Sequence, residues 1–258
     1  MTGSNPRQTK TKKEAVLEAG TEEIEGLSLF ETYSGGQETV MGWSKFYPAV
    51  KRAIDVFFGT FFGILSLPVC LLTALAIKLD SKGPVFADTP KRVSKNGRLF
   101  HLYKFRSMIV NAHNLLRTDP RYKDLYEKYK KGSYKLPIEE DPRITKVGRF
   151  IRKYSIDEIP QVINVLKGEM SFVGPRPYYP DELIEQEKKY PDTKEVIKEA
   201  LSVKPGLTGL WQVFGRSKVN FDKRIKLDAY YAKRKSILLD LIIILKSPWV
   251  MVSGQGCV

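Results

Sequence analysis

Cysteine and histidine are almost missing from this sequence of 258 residues, which has two of each. Two cysteines cannot make a disulfide framework, and Cys70 lies inside an apolar run, which fits a reducing compartment. His101 and His113 are too few for a histidine-based zinc site. No Gly-Lys-Ser/Thr ending of a Walker loop occurs, nor the glycine fingerprint of dinucleotide binding. Internal repeats are lacking, and no apolar run near Met1 has the form of a secretory signal. Residues 1–46 have no sustained hydrophobic periodicity beyond one short helical stretch, Lys12 to Glu25. They are read as a mobile polar tail that cannot build a core.

Positive charge, by contrast, is abundant. Lys and Arg number 43 against 29 Asp and Glu, for a net of +14. Residues 1–46 hold five Lys/Arg against seven Glu, a net of −2, so the rest carries +16. A body this basic is suited to phosphate substrates, anionic lipid head groups or nucleic acid.

One uncharged stretch, Val56–Ile77, exceeds the ~20 apolar residues a bilayer span requires. Lys51 and Arg52 precede it, and Lys78 and Lys82 follow it. Basic residues mark the cytoplasmic side of a membrane, and here they mark both ends. Pro68 removes one helical hydrogen bond and clashes with the preceding turn, so a kink is expected there. The part before it, Val56–Leu67, reaches about 18 Å as helix, little more than half the hydrocarbon core. Two readings lead, a re-entrant helix that bends and returns or an ordinary kinked span, ahead of a buried core helix of a soluble protein, which nothing else in the chain is apolar enough to surround.

Beyond this run, Val85–Ala87 and Leu99–Phe105 flank Asn96-Gly97, a dipeptide suited to a tight turn, and predict a hairpin. Residues 111–140 read as charged helix broken at Pro120 and Pro137. Thr145 is expected to cap a helix whose Lys146, Arg149, Arg152 and Lys153 fall mostly on one face. Another helix is expected from Asp157, with Pro160 its third residue. Asp181–Ser202 reads as helix interrupted at Pro191. Ile237–Leu245 is apolar except for Asp240, is closed by Lys246, and is too short to span, which suits the core or the membrane interface.

Asp157-Glu158 is the leading candidate for chemistry. An ionised aspartate can attack phosphorus and hold a covalent phosphoryl group, and a neighbouring carboxylate can help hold Mg²⁺. The plainer reading is helix capping by Ser155 or Asp157. Context favours chemistry. Arg149 and Arg152 lie upstream, and Gly174-Pro175-Arg176-Pro177 downstream restricts the backbone around Arg176, partly preorganising its fork for a phosphate. The segment Lys204–Val213, followed by Gly215-Arg216-Ser217, is dense in turn formers and could offer backbone N–H groups and Arg216 to a diphosphate. Lys104 and Arg106 follow the hairpin and could face the same phosphates.

These blocks, taken in order, resemble the bacterial sugar transferase family, the monotopic polyprenol-phosphate phosphoglycosyl transferases. The resemblance runs from Lys51 nearly to the end. It rests on Lys51-Arg52-x-x-Asp55, Tyr103-Lys104-Phe105-Arg106-Ser107-Met108, Asp141-Pro142-Arg143-Ile144-Thr145 and Val147-Gly148-Arg149-Phe150-Ile151-Arg152-Lys153. Asp157-Glu158-Ile159-Pro160-Gln161, Asn164–Ser171, Val173–Pro177, Lys204–Val213 and Leu227-Asp228-x-Tyr230-Tyr231 complete it. The resemblance implies a re-entrant membrane helix, a cytosolic active site at the bilayer surface of the bacterial cytoplasmic membrane, and a ping-pong reaction. In it, Asp157 attacks the β-phosphate of a UDP-sugar, UMP leaves, and undecaprenyl phosphate takes the sugar phosphate. Glu158 is implied as a Mg²⁺ ligand or acid/base partner, with Asp157 and Glu158 as the metal pair. Arg152 and Arg176 match phosphate-contacting positions, and Gln212 and Arg216 match the family's glycine loop. The chain departs from the family at the bend, where Leu67-Pro68 replaces Ser-Pro, and before Arg92, where Pro90-Lys91 replaces Gln-x.

The expected architecture is therefore α+β: a mostly helical cytosolic domain with a small β-hairpin or sheet, a re-entrant helix kinked at proline, and interfacial amphipathic helices. The expected division is a tail at 1–46, the membrane helix at 47–82 and the catalytic domain at 83–258. Expected partners are the UDP-sugar, undecaprenyl phosphate and anionic lipids, not nucleic acid. Room is left for a homodimer and for downstream glycosyltransferases.

Overall fold

The computed structural model describes residues 46–131, 136–214 and 220–252. Almost all of the polar tail therefore lies outside the described residues. The fold is mostly helical, with two small two-stranded sheets.

The uncharged stretch forms two helices, α1 (Tyr47–Leu65) and α2 (Leu67–Asp80), bent by 58° at Ser66. Among the described residues no single helix is long and apolar enough to cross a membrane, whereas this bent pair is, taken together. Pro68 sits in the first turn of α2, where a missing N–H costs nothing. The Ser66 hydroxyl donates to the Gly63 carbonyl at 3.0 Å, so a serine does brace the bend although Leu67 stands where the family carries one. The outer side of the pair is apolar and bare: Phe57, Phe61, Leu65, Leu71, Leu72, Leu75 and Leu79 are all exposed.

The other side of the pair is bolted to the body. Arg52 donates to the carbonyls of Val165 and Leu166 at 2.6 and 2.7 Å, in the last turn of α6 (Gln161–Lys167) where carbonyls lack intrahelical partners or are capped by Gly168 N–H. The buried Asp55 accepts from the Ser171 hydroxyl at 2.8 Å and the Phe172 N–H at 2.9 Å. Gly59 faces α6 so closely that a Cβ there would lie 2.9 Å from Leu166 Cδ2. Lys51 pairs with Asp240 at 2.9 Å, and Asp240 also accepts from Tyr47 and Tyr231. The Lys51-Arg52-x-x-Asp55 block is thus a clasp between α1 and the body.

Next come β1 (Arg92–Val93) and β2 (Leu99–Phe100), an antiparallel pair around Asn96-Gly97, with Asn96 at φ 57. The hairpin exists, but its inner strand is Arg92–Val93 rather than Val85–Ala87. The latter segment pairs one step further along, through Ala87 N–H to Lys104 O and Arg106 N–H to Val85 O, both at 2.8 Å. Pro90, which cannot donate to a ladder, lies in the intervening stretch and accounts for the shift.

Helices α3 (Ala112–Thr118) and α4 (Lys123–Lys131) follow, separated at Pro120 as expected. The buried Asp141 carboxylate holds Arg143 in two side-chain bonds of 2.8 and 2.7 Å, and the guanidinium also donates to Ala112 O at 2.9 Å. That block of the resemblance is structural. Removing one member of a buried pair strands the other, so Asp141→Ala is expected to cost about 3–5 kcal/mol, read as a lower denaturant midpoint.

α5 (Lys146–Lys153) starts at Thr145, whose hydroxyl accepts from Gly148 N–H at 3.0 Å, as the capping pattern requires. Its Ile151 packs with Ile77 of α2 and Phe105, tying α2, α5 and the Lys104 segment into one small core. β3 (Ser171–Val173) pairs in parallel with β4 (Gly206–Thr208). Around them, Val165, Met170, Phe172, Leu210, Leu227, Tyr231 and Ile243 form the main core, and Phe58 of α1 packs against it.

α7 (Pro180–Lys189) and α8 (Lys194–Ala200) flank Pro191, where the break was expected. After α9 (Leu210–Phe214), α10 (Phe221–Arg234) packs on α8 through Phe221, Ile225 and Ala229. α11 (Ile237–Val252) runs further than the apolar stretch that ended at Lys246. Lys246 is exposed and so does not stop the helix, and the Ser247 hydroxyl donates back to Ile243 O at 2.7 Å just before Pro248.

Candidate active site

Asp157 does not open an α-helix. It lies in a 3₁₀ turn, Ile156–Glu158, and α6 begins only after Pro160. Two features of the chain cause this. Ser155 is held at φ 55, a left-handed conformation uncommon for a residue with a Cβ. Glu158 and Ile159 then make bonds of the three-residue kind, to Ser155 O and Ile156 O, before the α-helical pattern is reached. Ser155 makes no side-chain capping bond, so the capping alternative is not realised there. Non-glycine residues held in sparsely populated backbone conformations cluster at functional sites, which makes the neighbourhood of Ser155 a candidate.

The Asp157 residue is 2% exposed, and its Oδ2 lies 2.9 Å from Lys104 Nζ. The same ammonium lies 3.0 Å from Glu158 Oε1, so one lysine bridges both carboxylates. The backbone fixes this meeting, since Phe105 N–H donates to the Asp157 carbonyl at 2.9 Å. The segment carrying Lys104 is in turn held by Asn164, whose Oδ1 accepts from Tyr103 N–H and whose Nδ2 donates to His101 O.

Burial pushes the Asp157 pKa up, with Glu158 adding to the rise and Lys104 and Arg152 opposing it. Glu158 is driven the other way: burial works to raise it, but Lys104, with Arg176 and Arg92 behind, holds it below the usual range. The two carboxylates hold Lys104 protonated in spite of burial. The same surroundings thus act in opposite directions on the two carboxylates. His113, close by in the same positive field, is pushed down to about 3 by burial and by Arg92, Arg143, Arg117 and Arg152.

The remaining candidates sort by position. Arg152 is half-buried and its Nε donates to the Ser107 hydroxyl at 2.8 Å, which aims it along the Lys104–Met108 segment. Arg176 sits on the turn after β3 with its guanidinium 5.7 Å from the Trp211 ring. Arg149 is on the exposed side of α5. Arg106 is turned away from the carboxylates: it donates to Pro84 O, the Ser81 hydroxyl and Ser81 O, anchoring the exit of α2. Arg216 lies outside the described residues.

The Lys204–Val213 segment is not an open cradle of N–H groups. It forms β4, and its backbone is engaged with the Gly174 turn: Gly206 N–H donates to Pro175 O, and Thr208 O accepts from Gly174 N–H. Its glycines answer to space. A Cβ on Gly206 would lie 2.1 Å from Gly174 N, and one on Gly209 would lie 2.2 Å from Gly174 O. Gln212 donates to Leu207 O at 3.1 Å within the same loop. The loop thus sets the height of the Arg176 turn from below.

One residue near the site was not among the sequence candidates. Arg92 stacks on Tyr179, its guanidinium carbon 3.2 Å from the ring centroid, donates to Pro177 O, and adds to the field at Glu158. The sequence marked it only as the residue after the altered Pro90-Lys91. Its approach to Glu158 depends on a turn more than 80 positions away.

Among the described residues no group of three or more His, Cys, Asp and Glu side chains is poised for a metal ion. Two adjacent carboxylates are nevertheless an oxygen donor set of the kind Mg²⁺ takes when substrate phosphates and water complete its shell.

Known proteins resemble this chain over most of its length. The model of the family described as bacterial sugar transferase matches residues 46–254. An uncharacterized sugar transferase of Haemophilus influenzae is 41% identical over 211 residues, covering 80% of this chain and 42% of that protein. The undecaprenyl-phosphate galactose phosphotransferase of Salmonella typhimurium is 39% identical, covering 80% of this chain and 41% of its own length. The exopolysaccharide production protein ExoY of Sinorhizobium fredii is 36% identical and is covered over 87% of its length. The chain thus spans about two fifths of the longer relatives and most of the shorter one. With the matched region running from the foot of α1 to the end of α11, the chain belongs to the bacterial sugar transferase family.

Proposed function

We propose that this chain transfers a sugar 1-phosphate from a UDP-sugar to undecaprenyl phosphate, releasing UMP, as an initiating step of exopolysaccharide or glycoconjugate synthesis. The observation that carries the reading is the Asp157 carboxylate, buried and 2.9 Å from Lys104, with Glu158 beside it. Support comes also from the names of relatives that act on lipid-linked galactose transfer.

In the first step a carboxylate oxygen of Asp157 attacks the β-phosphorus. An aspartyl–phosphate bond forms, the bond from β-phosphorus to the bridging oxygen breaks, and UMP departs with that oxygen and the electron pair. In the second step an oxygen of undecaprenyl phosphate attacks the same phosphorus and Asp157 leaves as a carboxylate. Lys104 balances charge on the Asp157 oxygens, and Arg152 and Arg176 meet the phosphate oxygens. Asp157 and Glu158 would hold Mg²⁺, which when bound supplies charge neutralisation at the diphosphate.

Residues 47–82 act as the membrane anchor and residues 83–258 as the catalytic body on the cytosolic face. Asp157 lies between α5 and α6, and each of these helices packs on one arm of the bent pair. Anchoring both arms at once sets the site near the head groups, where a lipid phosphate can reach it. A re-entrant pair returns to the side it entered, so cysteines from Pro48→Cys and Lys82→Cys, in a background lacking Cys70 and Cys257, are expected to label from the cytosolic side only. Labelling of the two from opposite sides would establish a span instead.

The direct test is UMP release by the purified protein with undecaprenyl phosphate, Mg²⁺ and a panel of UDP-sugars. Release with one or more donors, dependent on the lipid phosphate for turnover, is the expected result. No release from any donor would overturn the reading.

A further inference from the structure

The Leu227-Asp228-x-Tyr230-Tyr231 block takes no part in the reaction as drawn, yet it holds a buried acid. Asp228, on α10, is 0% exposed. Its Oδ2 accepts two hydrogen bonds, from the backbone N–H of Arg176 at 3.1 Å and from the Tyr178 hydroxyl at 2.7 Å. Both donors belong to the turn that carries Arg176. Pro175 and Pro177 have no N–H, so the Arg176 amide is the one backbone donor across residues 175–177. Its acceptor decides how the turn is seated.

The opposite side of the turn is already fixed. Gly174 N–H bonds to Thr208 O and Pro175 O accepts from Gly206 N–H, which docks the turn on β4. The Arg176 side chain is limited by the Trp211 ring. Asp228 supplies the remaining constraint, from the α10 side. The nearby Arg224 bonds buried Glu182 at 2.9 Å and lies 5.8 Å from the Trp211 ring, and its charge also acts on Asp228 without a hydrogen bond to it. Asp228 Oδ1 has no hydrogen-bond partner among the described residues. Burying such a group is costly, so a purely space-filling role fits poorly.

We propose that Asp228 is the positioning residue for Arg176, holding the turn through the one amide between its two prolines so that the guanidinium is presented to the phosphates of the donor. The claim rests on the reading of Arg176 as a phosphate contact. It goes beyond that reading in assigning a role to a fully buried residue of α10, remote in sequence from Arg176. Tyr178 is the second member of the device, because its hydroxyl shares the same carboxylate oxygen.

The test is a double-mutant cycle on the full chain in lipid nanodiscs, with the UDP-sugar that the wild type turns over. Displacing a positioned group by a fraction of an ångström is expected to lower kcat/KM about tenfold in Asp228→Ala. In an Arg176→Ala background the same substitution is expected to change kcat/KM less than twofold, because the group it acts through is gone. An equal loss in both backgrounds would overturn the proposal, since an independent structural defect adds. If Asp228→Ala does not fold, Tyr178→Phe carries the same cycle with a smaller expected loss, about threefold, and the same criterion. Hydrogen exchange at the Arg176 amide is the second readout and needs no donor. Exchange accelerated at least about tenfold in Asp228→Ala or Tyr178→Phe supports the proposal, and unchanged exchange in the folded variants refutes it. If the wild type releases UMP from no donor, the proposed activity fails, while the exchange result still decides whether Asp228 holds the turn.

Discussion

Asp157→Asn is expected to fold normally and to lose at least ~10³-fold in UMP release, because removing the nucleophile of the proposed covalent mechanism eliminates the pathway rather than weakening it. The amide has nearly the shape of the carboxylate, so packing in the 3₁₀ turn is preserved. Its nitrogen and oxygen, however, are too weakly nucleophilic to attack phosphorus. Lys104 keeps Glu158 at 3.0 Å, so its charge is not left unpaired by the change. Two measurements check this. Turnover should vanish with every donor that the wild type uses. Mass spectrometry of protein mixed with donor and no lipid should show a phosphosugar on the wild type and none on the variant. Full activity in Asp157→Asn would remove this residue from its role.

Lys104→Met should produce the second large effect, with a diagnostic pH signature. The substitution keeps length and removes charge. Lys104 opposes the rise in the Asp157 pKa that burial causes, so without it that pKa climbs further. The attacking form is the carboxylate, and a higher pKa leaves less of it at a given pH. The acid limb of kcat/KM therefore moves to higher pH, and activity recovers in part as pH rises. At neutral pH the expected loss is about 10²-fold or more, the size associated with removing one preorganised electrostatic partner. Lys104→Arg, which keeps the charge, should retain the wild-type acid limb better. Superimposable pH profiles for Lys104→Met and the wild type would show that the 2.9 Å contact does not tune Asp157.

Both outcomes depend on contacts between residues far apart in the chain, and the limit of a sequence reading lies there. Local features were legible. The helix from Thr145, the breaks at Pro120 and Pro191, the Asn96-Gly97 turn and the bend before Pro68 each follow from a capping group, a missing N–H or a tolerated left-handed conformation. Asp157-Glu158 could be singled out because adjacent carboxylates amid arginines are an uneven distribution of charge. The start of α6 was misjudged, since a proline that suits the first turn of a helix also suits the residue before it. Nothing local reveals that Ser155 is held left-handed. Arg106 and Arg152 shared one expectation, yet only Arg152 stays near the carboxylates. Ser81 and Pro84 offer Arg106 a set of acceptors that no spacing rule exposes.

The ordered blocks of residues were visible as blocks while their duties were not. Lys51-Arg52-x-x-Asp55 clasps α1 to the body, Asp141 and Arg143 neutralise each other inside it, and the glycines of Lys204–Val213 let β4 approach the Arg176 turn. By itself the sequence determined the long uncharged run, the excess of basic charge, and a carboxylate pair set among arginines. Only the tertiary structure decided which cation meets that pair, which arginine is spent on backbone carbonyls and which acid seats the Arg176 turn. Hydrophobic periodicity and backbone preference act over a few residues, whereas hydrogen bonds and charge pairs are selected by whichever groups the folded chain brings within about 3 Å.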